Sequence, residues 1–525
     1  MQTFDTIIIG AGSAGCLLAK RLSENSQHQV LLVEAGGKDN WHWIHIPVGY
    51  LYTLGNPKTD WCYQTVPQVG LNGRVIPYAR GRVLGGCSSI NGMIYMRGQA
   101  EDFNRWGFDE WRWEQVLPRF KAFERYHQGD SEFHGGQGEL DVQPQRLNWT
   151  VLNDWRQACM DYGMPACTDF NTGMNEGVGY FDVNQRQGLR CSDAKAFLHP
   201  VISRKNLTVY THCLVDKLML NGTEVTGVHI VHKHKKQVVL GKRVILCAGA
   251  IGSPNILERS GIGQALHLSQ FGVPCHLPLE GVGENLQDHL QIRVSFKLKH
   301  GQTLNQKAAH WWGKALMGLE YAIKRTGPLA MAPSQLGAFF RSNDSVTRPD
   351  LEFHIQPMTA DKLGTRLHTF PGLTASVCHL RPHSRGSVHI HSSNPLSMPD
   401  INPNYLSAQY DKQVAIDAVR LTRKIASEQA LAHYFPEELK PGKALVDDTA
   451  ILRAIGDIST TIFHPVGTCR MGDSPQDGAV VSPRLNVHGM DNLYIADASI
   501  MPKITSGNTH APTLMIAESL AQWLT

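Results

Sequence analysis

Residues 6–9 read Thr-Ile-Ile-Ile, a short apolar run with no polar alternation. That is the pattern of a strand buried on both faces, as in a parallel sheet. The next segment places Ala14, Leu17, Leu18 and Leu22 on one helical face and turns Lys20 and Arg21 elsewhere, predicting an amphipathic helix. A second apolar run, Val30-Leu31-Leu32-Val33, predicts another strand that ends at Glu34. Much later, Val244-Ile245-Leu246 repeats the strand signal before the small residues of 247–253 and a helix start. Period-two alternation over 374–391, around Pro382, predicts an antiparallel hairpin. The run Leu514–Glu518 predicts a buried helix.

Composition sets outer bounds. The 525 residues suffice for about two to four domains. Hydrophobic residues make up 42% and charged residues 18%, which excludes a disordered chain or a coiled coil. Fifty basic against 46 acidic residues give a net charge of +4, too balanced and too evenly spread for a nucleic-acid-binding protein. No apolar run reaches the roughly 18 residues of a spanning helix, and Met1-Gln2-Thr3-Phe4-Asp5 has no signal-peptide character. Eleven cysteines, an odd count without a CxxC pair, suggest a reduced, cytoplasmic protein. The histidine-rich run 229–236 reads as a solvated strand end; without a cysteine or carboxylate at ligand spacing it predicts no metal.

Chemistry enters with Gly10-Ala11-Gly12-Ser13-Ala14-Gly15, set between the first strand and the first helix. Gly10 makes the tight turn, Gly12 admits a pyrophosphate to the backbone, and Gly15 lets helix and strand pack closely. The helix N-terminus supplies N–H groups and partial positive charge. Glu34, 19 residues after Gly15, is spaced to hold an adenosine ribose. The motif predicts an ADP-containing dinucleotide without choosing between FAD and NAD. Two later glycine-rich segments, 81–92 and 249–263, exceed what a single NAD site requires.

Together these segments resemble the glucose–methanol–choline (GMC) family of FAD oxidoreductases, in its choline dehydrogenase and alcohol dehydrogenase branch. Residues 81–92 and 249–263 resemble its two signatures, and Gly281–His289, Phe463–Gly472 and Asp497–Thr513 continue the pattern in order. The resemblance implies an α/β, α+β overall, fold: a Rossmann-like FAD-binding domain and a substrate domain built on an antiparallel sheet. The FAD domain would comprise 1–150, 190–290 and 455–525, and the substrate domain 151–189 and 291–454.

The same resemblance implies site residues. Val83 and Gly86 would belong to the cofactor-binding loop, and Asn91 and Gly92 would lie near the isoalloxazine. Val215 would meet adenine through its backbone, and Asp497 and Ala498 the ribityl and phosphate region. Ile90 stands where some members carry a histidine bonded to the flavin, so noncovalent FAD is expected. Oxidising an alcohol takes a base for the hydroxyl proton and an acceptor for the carbon-bound hydrogen; the flavin is the acceptor. His464 falls on the catalytic position as proton acceptor, and His510, where the family carries His or Asn, is expected to hydrogen-bond the same substrate oxygen. The expected reaction is a primary alcohol to an aldehyde, with a quinone, dye or O2 as electron acceptor. An O2-using oxidase and a flavin-containing lyase or decarboxylase stay open. Cys87 reads as packing or as a flavin-tuning group. The pairs Trp41/Trp43 and Trp311/Trp312 read as channel lining or as packing. No aromatic cage with a carboxylate singles out choline over an uncharged alcohol. A quinone-linked enzyme would dock peripherally on a membrane.

Overall fold

The computed structural model describes residues 3–233, 235–361 and 365–525. Strand Thr6–Ile9 is wholly buried, and so are Val30–Val33 and Val244–Leu246. These three, with Leu207–Tyr210 and Leu493–Ile495, form a five-stranded sheet in the order 207–210, 30–33, 6–9, 244–246, 493–495, every neighbour parallel. Helices Ser13–Leu22 and His510–Leu524 pack on each other. Their apolar side chains and those of the sheet belong to one hydrophobic core. The continuous apolar runs are therefore explained by burial on both sides.

A seven-stranded sheet forms the second layer. Its main path runs Glu437–Lys440, Leu290–Lys297, Gly372–His379, Leu351–Gln356, Leu336–Phe340 and Gly177–Tyr180, all antiparallel, and Thr460–Thr461 pairs on Leu290–Lys297. Helix Gln409–Ala426 packs on this sheet and shares its core. Leu71 and Ile76, from early in the chain, join the same core. The architecture is the expected mixed α/β one, with a Rossmann-like layer and an antiparallel layer.

One local expectation is corrected. Residues 374–391 are not a hairpin: Gly372–His379 is a central, fully buried strand between Leu290–Lys297 and Leu351–Gln356. Both its edges are taken, so Ser387–His389 pairs with Asp400–Asn402 instead. Strands Glu224–His232 and Lys235–Gly241 carry the histidine-rich run; His234 within it, like Met1 and Gln2, lies outside the described residues. All eleven cysteines are unpaired thiols. Among the described residues no helix is long and apolar enough to cross a membrane.

Candidate active site

The glycine loop is built as its spacing predicts. Gly10 has φ +101°, and a Cβ there would lie 2.5 Å from the Cys247 carbonyl oxygen. A Cβ on Gly15 would lie 1.9 Å from the Gly10 carbonyl oxygen, so helix and strand touch only because both residues lack side chains. The cap residue Gly12 offers no side-chain acceptor to helix Ser13–Leu22, whose first N–H groups stay open to a ligand. Residues 81–92 fold back against this loop. The Gly85 N–H donates to the Ala11 carbonyl at 2.8 Å. Gly86 has φ +53°, and its Cβ would come within 2.7 Å of Gly12 Cα. The Gly10–Gly15 loop and the segment 81–92 thus meet backbone to backbone.

One continuous cavity runs from this junction to the antiparallel sheet. It is lined by Gly10, Gly12, Glu34, Gly86, Asn91, Gly92, Val215, Asp497, Ala498, His464 and His510 among others. Gly15 and Val83 stand outside the lining: Gly15 packs helix on strand, and Val83 is buried and bridges Gly37. Cys87 and Ile90 line the cavity, whereas Trp41, Trp43, Trp311 and Trp312 do not. Trp311 and Trp312 are 81% and 55% exposed, so they are neither channel nor core.

At the Rossmann end both acids are held by hydrogen-bond donors. The Ala11 and Gly36 N–H groups donate to the two Glu34 oxygens at 2.9 and 2.7 Å. Burial pushes the Glu34 carboxyl up to about 7 against those hydrogen bonds. Asp497 accepts from the Gly249 N–H at 2.8 Å, the Ser253 hydroxyl at 2.6 Å and the Ser499 N–H at 2.8 Å. It ties the start of helix Gly249–Arg259 to the segment after the last parallel strand. A β-bulge between Val215 and Lys217 interrupts the ladder beside the cavity. Asn91 Oδ1 accepts from Arg190 at 2.9 Å, and that buried guanidinium also donates to the Ile44 and Ser88 carbonyls. A cleft with an uncapped helix start, glycine-lined walls and two acids already held by backbone donors fits a long dinucleotide cofactor.

At the other end sits His464, 6% exposed. Its backbone N–H donates to Asp288 Oδ1 at 2.8 Å. Asp288 Oδ2 accepts from the hydroxyls of Tyr78 at 2.9 Å and Thr461 at 2.6 Å, and from Tyr405. The side chain of His464 belongs to a chain whose direction is determined. The Leu380 carbonyl can only accept, so His289 Nε2, 3.0 Å away, carries a hydrogen. A neutral His289 then presents a bare Nδ1, to which His464 Nδ1–H donates at 3.1 Å. His464 Nε2 is left as a lone pair, 3.0 Å from the Asn508 amide nitrogen. Burial, with the neighbouring His289 and His354 rings and the Arg80 guanidinium acting in the same direction, holds the His464 imidazole well below its ordinary range. Burial likewise lowers His289. Both rings are neutral at neutral pH.

His464 and His510 both line the cavity, but the residue against His464 Nε2 is Asn508; His510 Nε2 lies 2.7 Å from Asp193 Oδ2, and its Nδ1 has no hydrogen-bond partner. His510 opens helix His510–Leu524, so its direction is set by that helix, while Asn508 precedes the helix start. The loop carrying Asn508 is anchored by the buried Asp102, which accepts from the Ser506 N–H at 2.7 Å and the Ser506 hydroxyl at 2.9 Å. Asp288 and His289 close the segment Gly281–His289, whose motif was legible while their roles were not. Asn508 lies in the segment Asp497–Thr513, where the motif singles out His510 and gives no signal for Asn508.

Residues 4–291 and 382–517 match the two family profiles described as GMC oxidoreductase. The alcohol dehydrogenase [acceptor] of Pseudomonas putida is 39% identical, the match covering 99% of this chain and 95% of that one. The mitochondrial choline dehydrogenase of Mus musculus is 40% identical over 98% of this chain and 88% of its own. The crystal structure of pyridoxine 4-oxidase from "Mesorbium loti" superposes with a TM-score of 0.90 at 32% identity, covering 99% of each chain. The chain belongs to the GMC oxidoreductases, and the cofactor of its cleft is FAD.

Proposed function

We propose that this enzyme oxidises a primary alcohol to the aldehyde, with His464 Nε2 as acceptor of the hydroxyl proton and Asn508 as the group that orients the hydroxyl. The single observation that carries this reading is the hydrogen-bond chain from Leu380 through His289 and His464 to Asn508, which leaves His464 Nε2 as an acceptor at the cavity wall beside the Asn508 amide. Bound FAD supplies the acceptor for the carbon-bound hydrogen and its electron pair. The glycine junction of Gly12 and Gly86, the helix start at Ser13, and the segments at Asn91–Gly92, Val215 and Asp497–Ala498 would hold it. Ile90 and its neighbours provide no histidine for a covalent link, in keeping with noncovalent binding.

The chain's own residues perform the proton half of the reaction. The buried, electropositive surroundings of His464 keep it unprotonated until the hydroxyl arrives. The hydrogen on His464 Nδ1 stays shared with His289, so the incoming proton has one place to go, Nε2. Asn508 and His464 together restrict the carbinol to one orientation, a contribution that reaches several kcal/mol in well-positioned pairs. The two electrons then leave to a quinone, or to a dye or O2. Anaerobic mixing of the yellow protein with a panel of alcohols tests the reading. Bleaching of the flavin with stoichiometric aldehyde supports it; release of cyanide or carbon dioxide without bleaching would replace it by a lyase or decarboxylase. Oxygen consumption against quinone reduction, with the same alcohol, then assigns the acceptor.

We further propose that residues 1–150, 190–290 and 455–525 act as the FAD domain and the remainder as the substrate domain. Peripheral membrane docking has one specific support. Helix Trp311–Lys324 exposes Trp311, Trp312, Leu316, Leu319 and Ile323, with the exposed Lys314 and Lys324 beside them. An apolar face edged by lysines suits an anionic bilayer surface. Co-sedimentation with vesicles containing phosphatidylserine, lost in a Trp311→Ser, Trp312→Ser variant, is the expected result. Equal binding by both proteins counts against it.

A further inference from the structure

The wall of the cavity that faces the antiparallel sheet has an electrostatic character of its own. Strand Leu290–Lys297 contributes Gln291 and Arg293, and strand Leu351–Gln356 contributes His354 and Gln356. Each pair is two residues apart, the period that places side chains on one face of a strand. Among the described residues lining the cavity, Glu34 and Asp497 are the two acids, and both are engaged at the Rossmann end. The three cations of the lining are Arg80, Arg259 and Arg293. Arg80 donates to the Phe463 carbonyl at 2.7 Å, and Arg259 to the Asp216 carbonyl at 2.8 Å. The Arg293 side chain has neither a hydrogen bond nor an ion pair to any described residue.

A second observation falls in the same cavity. Tyr50 lines the cavity, is 2% exposed, and its hydroxyl has no hydrogen-bond partner. The Arg293 charge is felt by Tyr50, and the guanidinium itself is driven down from its ordinary value by burial. Two donors, one of them charged, thus line one cavity without a hydrogen-bond partner. Burying a guanidinium without an anion is costly, and a bound anion recovers that cost. The fork of an arginine matches a carboxylate in two parallel hydrogen bonds, with room for a hydroxyl donor on the remaining lone pair.

We infer that the alcohol oxidised at His464 carries a carboxylate, which Arg293 and Tyr50 hold: the substrate class is the hydroxy acids. This rests on the proposed alcohol oxidation and narrows its substrate. It also separates this chain from enzymes acting on quaternary ammonium alcohols. A cationic head group would meet Arg293 where it needs an acid; Asp288 and Glu352, the latter with its Oε1 3.2 Å from His354 Nε2, both lie outside the lining. Glu352 offers no direct contact to a ligand in the cavity.

The holoenzyme decides the matter with a homologous series of ω-hydroxyalkanoates, their methyl esters, the corresponding 1-alkanols, and choline. The esters keep size and shape and remove the charge. For the best chain length, we expect the acid to show a KM roughly tenfold to a hundredfold below its ester, the range of one charge-assisted hydrogen-bonded contact. Choline is expected to be the poorest of the four classes. In Arg293→Gln the preference of acid over ester collapses. Calorimetry with a saturated monocarboxylate, which has no hydroxyl to oxidise, gives a binding constant in the wild type that Arg293→Gln weakens by the same factor. Equal KM values for acid and ester in the wild type, or choline preferred to both, overturn the inference. So does a monocarboxylate that binds Arg293→Gln as well as wild type. Should Arg293→Gln not fold, the acid-to-ester comparison in the wild type decides alone. If no alcohol of any charge bleaches the flavin, the proposed oxidation fails, while the calorimetry still judges the anion site.

Discussion

His289 Nδ1 and His464 Nδ1 lie 3.1 Å apart, and the Leu380 carbonyl behind His289 decides which of them donates. A histidine with two interchangeable nitrogens becomes, through this contact, a base with one defined lone pair. His289 is not itself among the residues lining the cavity and acts through His464, as a positioning residue.

Replacing His464 by Ala is expected to leave the protein yellow and to slow flavin reduction by roughly 10²–10⁴-fold, the range for loss of a general base. Stopped-flow reduction under anaerobic conditions measures it. Reduction at the wild-type rate would remove His464 from the mechanism.

His289→Phe keeps the volume of a ring but cannot accept from His464 Nδ1. The His464 hydrogen then has no fixed seat, and we expect a smaller loss of reduction rate than in His464→Ala, with an altered acid limb of the pH profile. His289→Gln, which retains an acceptor, recovers part of the rate. A purely structural role would show instead as lower thermal stability with an unchanged pH profile.

Asn508 and His510 separate cleanly. Asn508→Ala removes the group 3.0 Å from His464 Nε2 and should cost on the order of a hundredfold in reduction rate. His510→Ala breaks the contact with Asp193 and is expected to act through stability or flavin retention, not through the proton transfer. A larger kinetic loss in His510→Ala than in Asn508→Ala would restore the two-imidazole arrangement.

The pH dependence has two opposite signs. His464 is held well below 6.5, so the acid limb of kcat/KM is expected below that pH, since the free enzyme needs the neutral ring. The same depression means that acid favours the unfolded chain, which binds a proton the folded one refuses: stability contributed by this group is lost as pH falls below about 6.5. His389 behaves inversely. Its ring lies 2.7 Å from Glu258 Oε1 and 3.1 Å from Glu284 Oε1. Burial opposes its charge, but the two carboxylates outweigh burial and raise it to about 9. Its stabilisation is complete below the unfolded value near 6.5 and disappears as pH rises through 9. Thermal unfolding of wild type and His389→Gln should therefore converge at alkaline pH. A constant difference across that window would contradict the ion pair.

Gly86→Ala tests the cofactor cradle. The added methyl would lie 2.7 Å from Gly12 Cα at a residue with φ +53°, so either the loop or the pyrophosphate seat must shift. The expected result is protein with markedly reduced flavin content. Full flavin occupancy would show that the junction yields without cost.

Local sequence determined the Rossmann half. Thr6–Ile9, Gly10–Gly15, Ser13–Leu22 and Val30–Val33 follow from apolar runs, glycine spacing and helical periodicity, because those patterns and the pairing of Thr6–Ile9 with Val30–Val33 all fall within some thirty residues. The family pattern extended this to the whole chain and to His464. Tertiary structure alone decided the rest. A strand reads the same whether its neighbour is the next segment or a distant one, so 374–391 looked like a hairpin until both edges of Gly372–His379 were seen to be occupied. Asn508 and His510 are two residues apart, and only the start of helix His510–Leu524 sends one side chain to His464 and the other to Asp193. The tautomer of His464 depends on a carbonyl 84 residues away in sequence, and the bare charge of Arg293 on the absence of acids from a wall assembled by separate strands. Spacing along a chain encodes local geometry; which donors are left without acceptors is a property of the assembled surface.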